Sequence, residues 1–120
     1  MGFSEVLQDL AGRLEGCIGL VVMGLDGIPV EKLVVDPTVS FEMLATESTT
    51  ILRNTRQASE DVGGGHLKEL ILMTDTLVVL AVAITDDYVL LGALRQGDGL
   101  YGKARFFLKR ACAQLEKEFL

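Results

Sequence analysis

Few residues in this sequence are placed to do chemistry. His66 is the only imidazole, and a Ser-His-Asp arrangement would have to use it, yet no nucleophile elbow accompanies it. The two cysteines, Cys17 and Cys112, stand near opposite ends of the chain, and with one histidine they do not make a zinc site of ordinary spacing. Apolar neighbours around each cysteine read as buried free thiols in a reducing compartment, with a Cys17–Cys112 disulfide as the minor reading. Gly63-Gly64-Gly65-His66-Leu67-Lys68 has the glycines of a phosphate loop in the wrong setting. A P-loop follows a strand, opens a helix and places Ser or Thr after its lysine, whereas these glycines follow a helix and precede a strand. Asp86-Asp87 and Asp98 could ligate a hard cation, but adjacent carboxylates at a turn read first as solvated. The expectation is therefore no catalytic residue, no metal, no cofactor and no small-molecule substrate, hence no enzyme.

Composition narrows the class further. A chain of 120 residues fits one domain spanning 1–120, and 49% apolar residues suffice for one core. The net charge of −6 argues against a nucleic-acid partner, which would need clustered Lys and Arg. The longest apolar run, Leu77 to Ile84, is far short of the ~20 residues that cross a bilayer, so membrane insertion is not expected. Met1-Gly2-Phe3-Ser4-Glu5 lacks the basic start and apolar core of a signal peptide, and a cytoplasmic location is expected.

The elements that would position any site read as helix, two strands, helix, three strands, helix. The first helix runs from about Ser4, its expected cap, to Leu14, with Phe3, Val6, Leu7, Leu10, Ala11 and Leu14 on one stripe. Cys17 to Met23 is apolar on both parities and predicts a strand covered on both faces. Leu25-Asp26-Gly27-Ile28 is a hairpin signal, and Pro29 sends the return strand, about Ile28 to Val35, to a sheet edge. The second helix is predicted from Val39 or Phe41 to Asp61. Phe41, Leu44, Ala45, Ser48, Leu52, Thr55 and Ser59 share its core face, with Ile51 and Val62 at the margin. Met43, Thr46, Thr50, Arg53, Asn54 and Gln57 lie opposite, with little charge for a long surface helix. Gly63-Gly64-Gly65 predicts a break and a mobile loop. Strands follow at His66 to Thr74, Leu77 to Thr85 and Tyr88 to Arg95, the second of them expected to be central. The last helix runs from Leu100 to about Phe119. Phe106 falls on its basic side, as an exposed anchor for a partner or, the preferred reading, packed under the first helix.

These elements predict an α+β two-sided sandwich. One five-stranded antiparallel sheet carries the long helix on one face and the N- and C-terminal helices on the other. The strand beginning near Leu67 is apolar on both parities and should form the second edge, where an unprotected strand invites pairing with another chain. A homodimer joined edge to edge is expected, with Leu67, Glu69, Ile71 and Met73 at the seam and Met43, Thr46 and Thr50 of the long helix packing beside it.

Ile18-Gly19-Leu20-Val21-Val22-Met23-Gly24-Leu25-Asp26-Gly27-Ile28-Pro29-Val30 resembles the first hairpin of Roadblock/dynein light chain domains, especially the bacterial MglB-like branch. The order of all eight elements matches that family over nearly the whole chain. The chain stops right after its last helix, without the C-terminal extension that some MglB proteins carry. The resemblance implies a dimer with a continuous ten-stranded sheet and a small Ras-like GTPase as partner. MglB-like members act as GTPase-activating proteins, by reshaping the GTPase's own site. Arg53, Asn54 and Gln57 on the long helix are the expected GTPase contacts. Arg53, Arg56 and Arg13 are the candidates for an arginine finger, each reading first as a solvated helix charge. The alternatives are a structural dimer platform insensitive to nucleotide, and a small-ligand sensor domain.

Overall fold

A computed structural model describes residues 2–97 and 99–120; Asp98, one of the candidate cation ligands, lies outside the described residues. The element order is α1 (Phe3–Arg13), β1 (Cys17–Gly24), β2 (Pro29–Val34), α2 (Phe41–Asp61), β3 (Glu69–Met73), β4 (Leu77–Ala83), β5 (Tyr88–Arg95) and α3 (Leu100–Glu116), closed by a 3-10 turn at Lys117–Phe119. One antiparallel sheet holds all five strands in the order β2-β1-β5-β4-β3. The sandwich has the expected layers.

Period-two alternation sorts the strands between two cores, with one slip at Ile18, where the register of β1 against β5 shifts between Cys17 and Gly19. Leu20, Val22, Leu80, Val82, Leu90 and Leu94 face α1 and α3, where Leu7, Leu10, Leu108 and Leu115 close over them. Ile18, Val21, Val79, Ala81, Leu91 and Ala93 face α2 and meet Phe41, Ala45 and Leu52. At Gly19 a Cβ would stand 2.6 Å from the Phe41 ring, so the missing side chain is what lets α2 begin close to the sheet. Thr49 is buried on the same helix face and returns its hydroxyl to the Ala45 carbonyl at 2.7 Å, while Thr55, expected in the core, is exposed.

Pro29 begins an edge strand as expected, and the Asp26-Gly27 turn closes with Gly27 N–H donating to the Gly24 carbonyl at 2.9 Å. Two expectations need correcting. The centre of the sheet is β5, not β4, because β1 pairs with β5, a long-range pairing that short turns do not announce. Gly2 precedes α1 as its cap, and Ser4 lies inside the helix, receiving only a 3.4 Å bond from Gln8. The glycines break the second helix as expected, and the break is a hydrogen-bonded stop. Gly63, at φ 72°, donates to the Glu60 carbonyl and Gly64 to that of Ser59, which is a Schellman closure, and the Ser59 hydroxyl reaches the Gly65 carbonyl at 2.9 Å. Among the described residues no helix is long and apolar enough to cross a membrane. Cys17 and Cys112 are both free and buried, and burial pushes their thiols up to about 11 and about 12.

Candidate functional site

β3 ends the sheet, and its hydrogen-bond phase decides what it offers. Ala83 N–H donates to the Lys68 carbonyl at 2.9 Å, and Thr74 N–H to the Leu77 carbonyl at 2.8 Å. In an antiparallel ladder such pairs alternate, so Lys68, Leu70, Leu72 and Thr74 turn their backbone groups toward β4. Glu69, Ile71 and Met73 turn theirs outward, along the free edge. The side chains follow the opposite logic. Ile71 packs on the α1–α3 core, and Glu69 reaches α3, accepting from Arg105 Nε at 2.6 Å with Lys109 Nζ at 3.6 Å. Those cations hold the Glu69 carboxyl below its ordinary range, through the Arg105 hydrogen bond first.

On the other face of β3, Leu70 and Leu72 point to the α2 side. α2 lies over β1 and β5 and stops short of the sheet's end. Leu67, Leu70, Leu72 and Leu77 are therefore only half-buried, an apolar shelf that the chain leaves partly open. Leu44 packs at the margin of the same core. Ile51 and Val62 fall on the Leu44 flank of the helix at helical spacing and are exposed by 41% and 83%. Met43, Thr46 and Thr50 lie further round, toward solvent: Met43 and Thr46 are exposed, and Thr50 is half-buried with its hydroxyl on the Thr46 carbonyl at 3.2 Å. The flank beside the shelf was missed in the sequence. Its signal was present in Ile51 and Val62, two large aliphatics at the margin of the core stripe.

The opposite flank of α2 carries the arginines. Arg53 Nη1 donates to the Leu25 carbonyl at 2.8 Å and Arg56 Nη1 to the Asp86 carbonyl at 2.8 Å, so both guanidiniums tie the helix to the turns that end β1 and start β5. With Asp26, Asp87 and Tyr88 they line an open groove of about 410 Å³. Asn54 is exposed, and Gln57 donates to Asp61 at 3.0 Å. Arg13 is on the far side of the sheet, paired with Asp9 at 3.1 Å. His66 stands 3.6 Å from the Asp86 carboxylate, both exposed. Among the described residues no three His, Cys, Asp or Glu side chains gather to hold a metal ion. The pocket under α2 lined by Leu25, Leu52, Leu67 and Ala81 has a volume of about 20 Å³, room for about one water.

Phe106 is 59% exposed rather than packed under α1. Its neighbour Phe107 takes that place, with the guanidiniums of Arg13 and Arg110 each 5.8 Å from its ring centre.

No family model matches the sequence, and no curated protein does. Solved structures do. MglC from Myxococcus xanthus is 27% identical, with a TM-score of 0.69 and 98% of this chain aligned to 99% of that one. A Roadblock/LC7 domain from Streptomyces avermitilis matches at a TM-score of 0.82 and 13% identity over 99% of this chain and 98% of its own. The gliding protein MglB from Thermus thermophilus matches at 0.81 and 15%, over 95% and 85%. With these neighbours and this topology, the chain has the fold of the Roadblock/LC7, MglB and MglC structures.

Proposed function

We propose that this domain is a homodimeric, non-enzymatic interaction module of the cytoplasm that binds a small Ras-like GTPase and regulates its nucleotide state. The observation that carries the reading is the free edge of β3 beside the half-covered shelf of Leu70, Leu72 and Leu77. Two copies related by a two-fold axis would pair β3 with β3 through the backbone groups of Glu69, Ile71 and Met73, giving a continuous ten-stranded sheet. The partner's α2 would then bring Ile51 and Val62 over the shelf. That arrangement presents two copies of α2 side by side, a broad surface carrying Arg53, Asn54 and Gln57 for the GTPase. The names of the MglB and MglC neighbours support the reading, since one such structure is described as a gliding protein and another as a tetrameric arrangement of MglB.

The apolar pocket under α2 holds only about 20 Å³, and the roomier groove of about 410 Å³ beside Arg53 and Arg56 is open to solvent and lined mainly by charged residues, which favours a protein contact over a small-ligand sensor. The test is a pull-down of small GTPases loaded with GDP or a non-hydrolysable GTP analogue, alongside sedimentation of the free domain. State-dependent capture by a dimer is expected. A monomer at micromolar concentration overturns the seam. Capture indifferent to nucleotide leaves a structural platform as the function instead.

A further inference from the structure

Phe106 projects from the solvent face of α3, on the side of the sheet opposite α2, and its surroundings separate it from an ordinary stray apolar residue. Gly102 one turn before it and Ala113 two turns after share its stripe, so its flanks are low and open. Its ring meets Phe107 edge to face, with centres 5.3 Å apart at 75°. Phe107 is itself braced by Arg13 and Arg110, so the anchor is held in place before anything binds.

The frame around Phe106 is basic. Between Leu100 and Leu115 the helix has four cations and no carboxylate, in a chain whose net charge is −6. Glu69 engages only Arg105 and Lys109. Arg110 keeps to the Phe107 ring, and Lys103 has no ion pair among the described residues.

We propose that this face of α3 binds an acidic segment of a partner protein that brings an apolar side chain to Phe106. Charge complementarity selects the occupant, and shape selects a narrow one. α1 lies beside α3 and exposes Glu5 and Asp9, and Glu116 follows at the helix end, so a flat anionic membrane would meet carboxylates on both sides of the basic strip. A segment lying along α3 would not. The surface includes no residue of α2 and meets β3 only where Glu69 holds Arg105 and Lys109. Phe106, Lys103 and Arg110 lie outside both elements, so variants there test it separately from GTPase binding, and it lets one domain carry partners on both faces of its sheet.

The probe is a fluorescein-labelled amphipathic peptide with a Glu polar face and a Leu apolar face, followed by anisotropy, with the same peptide carrying Lys for Glu as control. Saturable binding of the Glu peptide alone is expected, weakening with salt and falling about tenfold or more in Phe106→Ala and in the Lys103→Glu/Arg110→Glu double variant. Both variants are at exposed positions, and thermal melting matching the original chain verifies their folding. The proposal is overturned by no saturable binding, by equal binding of the Lys peptide, or by affinity unchanged in both variants. Co-sedimentation with vesicles of phosphatidylcholine and phosphatidylserine without peptide binding would assign the face to a membrane, and a dimer dissolved by Phe106→Ala would assign it to a second copy.

Discussion

At the scale of single residues, Gly19 and Asp36 do the most with the least. Gly19→Ala would drive a methyl group to within 2.6–2.9 Å of three Phe41 ring carbons, in a core with no slack. The expected cost is about 1–3 kcal/mol in urea unfolding, with part recovered when Phe41→Leu is added, since the two residues share one space. Asp36 sits where the chain leaves β2. It accepts from the Thr38 hydroxyl and backbone N–H and from Arg95, and these hold its carboxyl at about 2, the Thr38 hydroxyl first. Its pKa is lower folded than unfolded, so the unfolded chain binds the extra proton. The contribution to stability is complete above the ordinary aspartate range near 3.8 and is lost as pH falls from there toward 2. Glu42, held down by Lys32, and Glu69, held down by Arg105, act in the same direction. Unfolding midpoints from pH 5 to pH 2 should converge for Asp36→Asn and the parent chain; a constant gap would remove the assignment.

At the scale of elements, the prediction concerns β3 and α2. Met73 is exposed, and its N–H points outward, so Met73→Pro deletes an edge donor without breaking a bond to β4. Ile51→Glu places a charge on the flank of α2 next to the shelf. Each is expected to weaken dimerisation about tenfold or more in sedimentation velocity while leaving thermal melting of the dilute chain nearly unchanged. Dimers of unchanged affinity in both variants would show that the seam lies elsewhere. Most of these elements were legible because local rules suffice for them. Phe41–Asp61 follows from helical periodicity and the glycine stop, and the Pro29 edge from a missing donor. What depends on distant pairing was not legible. β5 takes the centre because β1 adds to it, and Phe107 rather than Phe106 meets α1 because the rotation of α3 is set by its packing on β4 and β5. Likewise nothing near Arg53 in the sequence points to its partner, the Leu25 carbonyl, 28 positions earlier.

At the scale of the whole molecule, the proposed GTPase regulation has two possible physical routes, a supplied charge or a shift of the GTPase's own loops. An arginine supplied in trans accelerates hydrolysis roughly 10³- to 10⁵-fold because it neutralises charge on the transferred phosphoryl group. To do so here, Arg53 or Arg56 would have to leave a backbone carbonyl at 2.8 Å and cross to another protein, abandoning the turns they hold. Arg13 lies on the other side of the sheet from the shelf and from α2. Stimulation, where it occurs, would then come from the paired helices holding the GTPase's own loops in a productive arrangement, a shift of population rather than a supplied charge. The expected outcome is that Arg53→Ala, Arg56→Ala and Arg13→Ala each change dimer-stimulated turnover by less than about tenfold, with any loss appearing in affinity, whereas Ile51→Glu removes stimulation by removing the dimer. Single-turnover hydrolysis at saturating dimer separates the two. A thousandfold fall in the rate constant for any one arginine, at unchanged affinity, would identify that residue as a finger and replace the allosteric account with an electrostatic one.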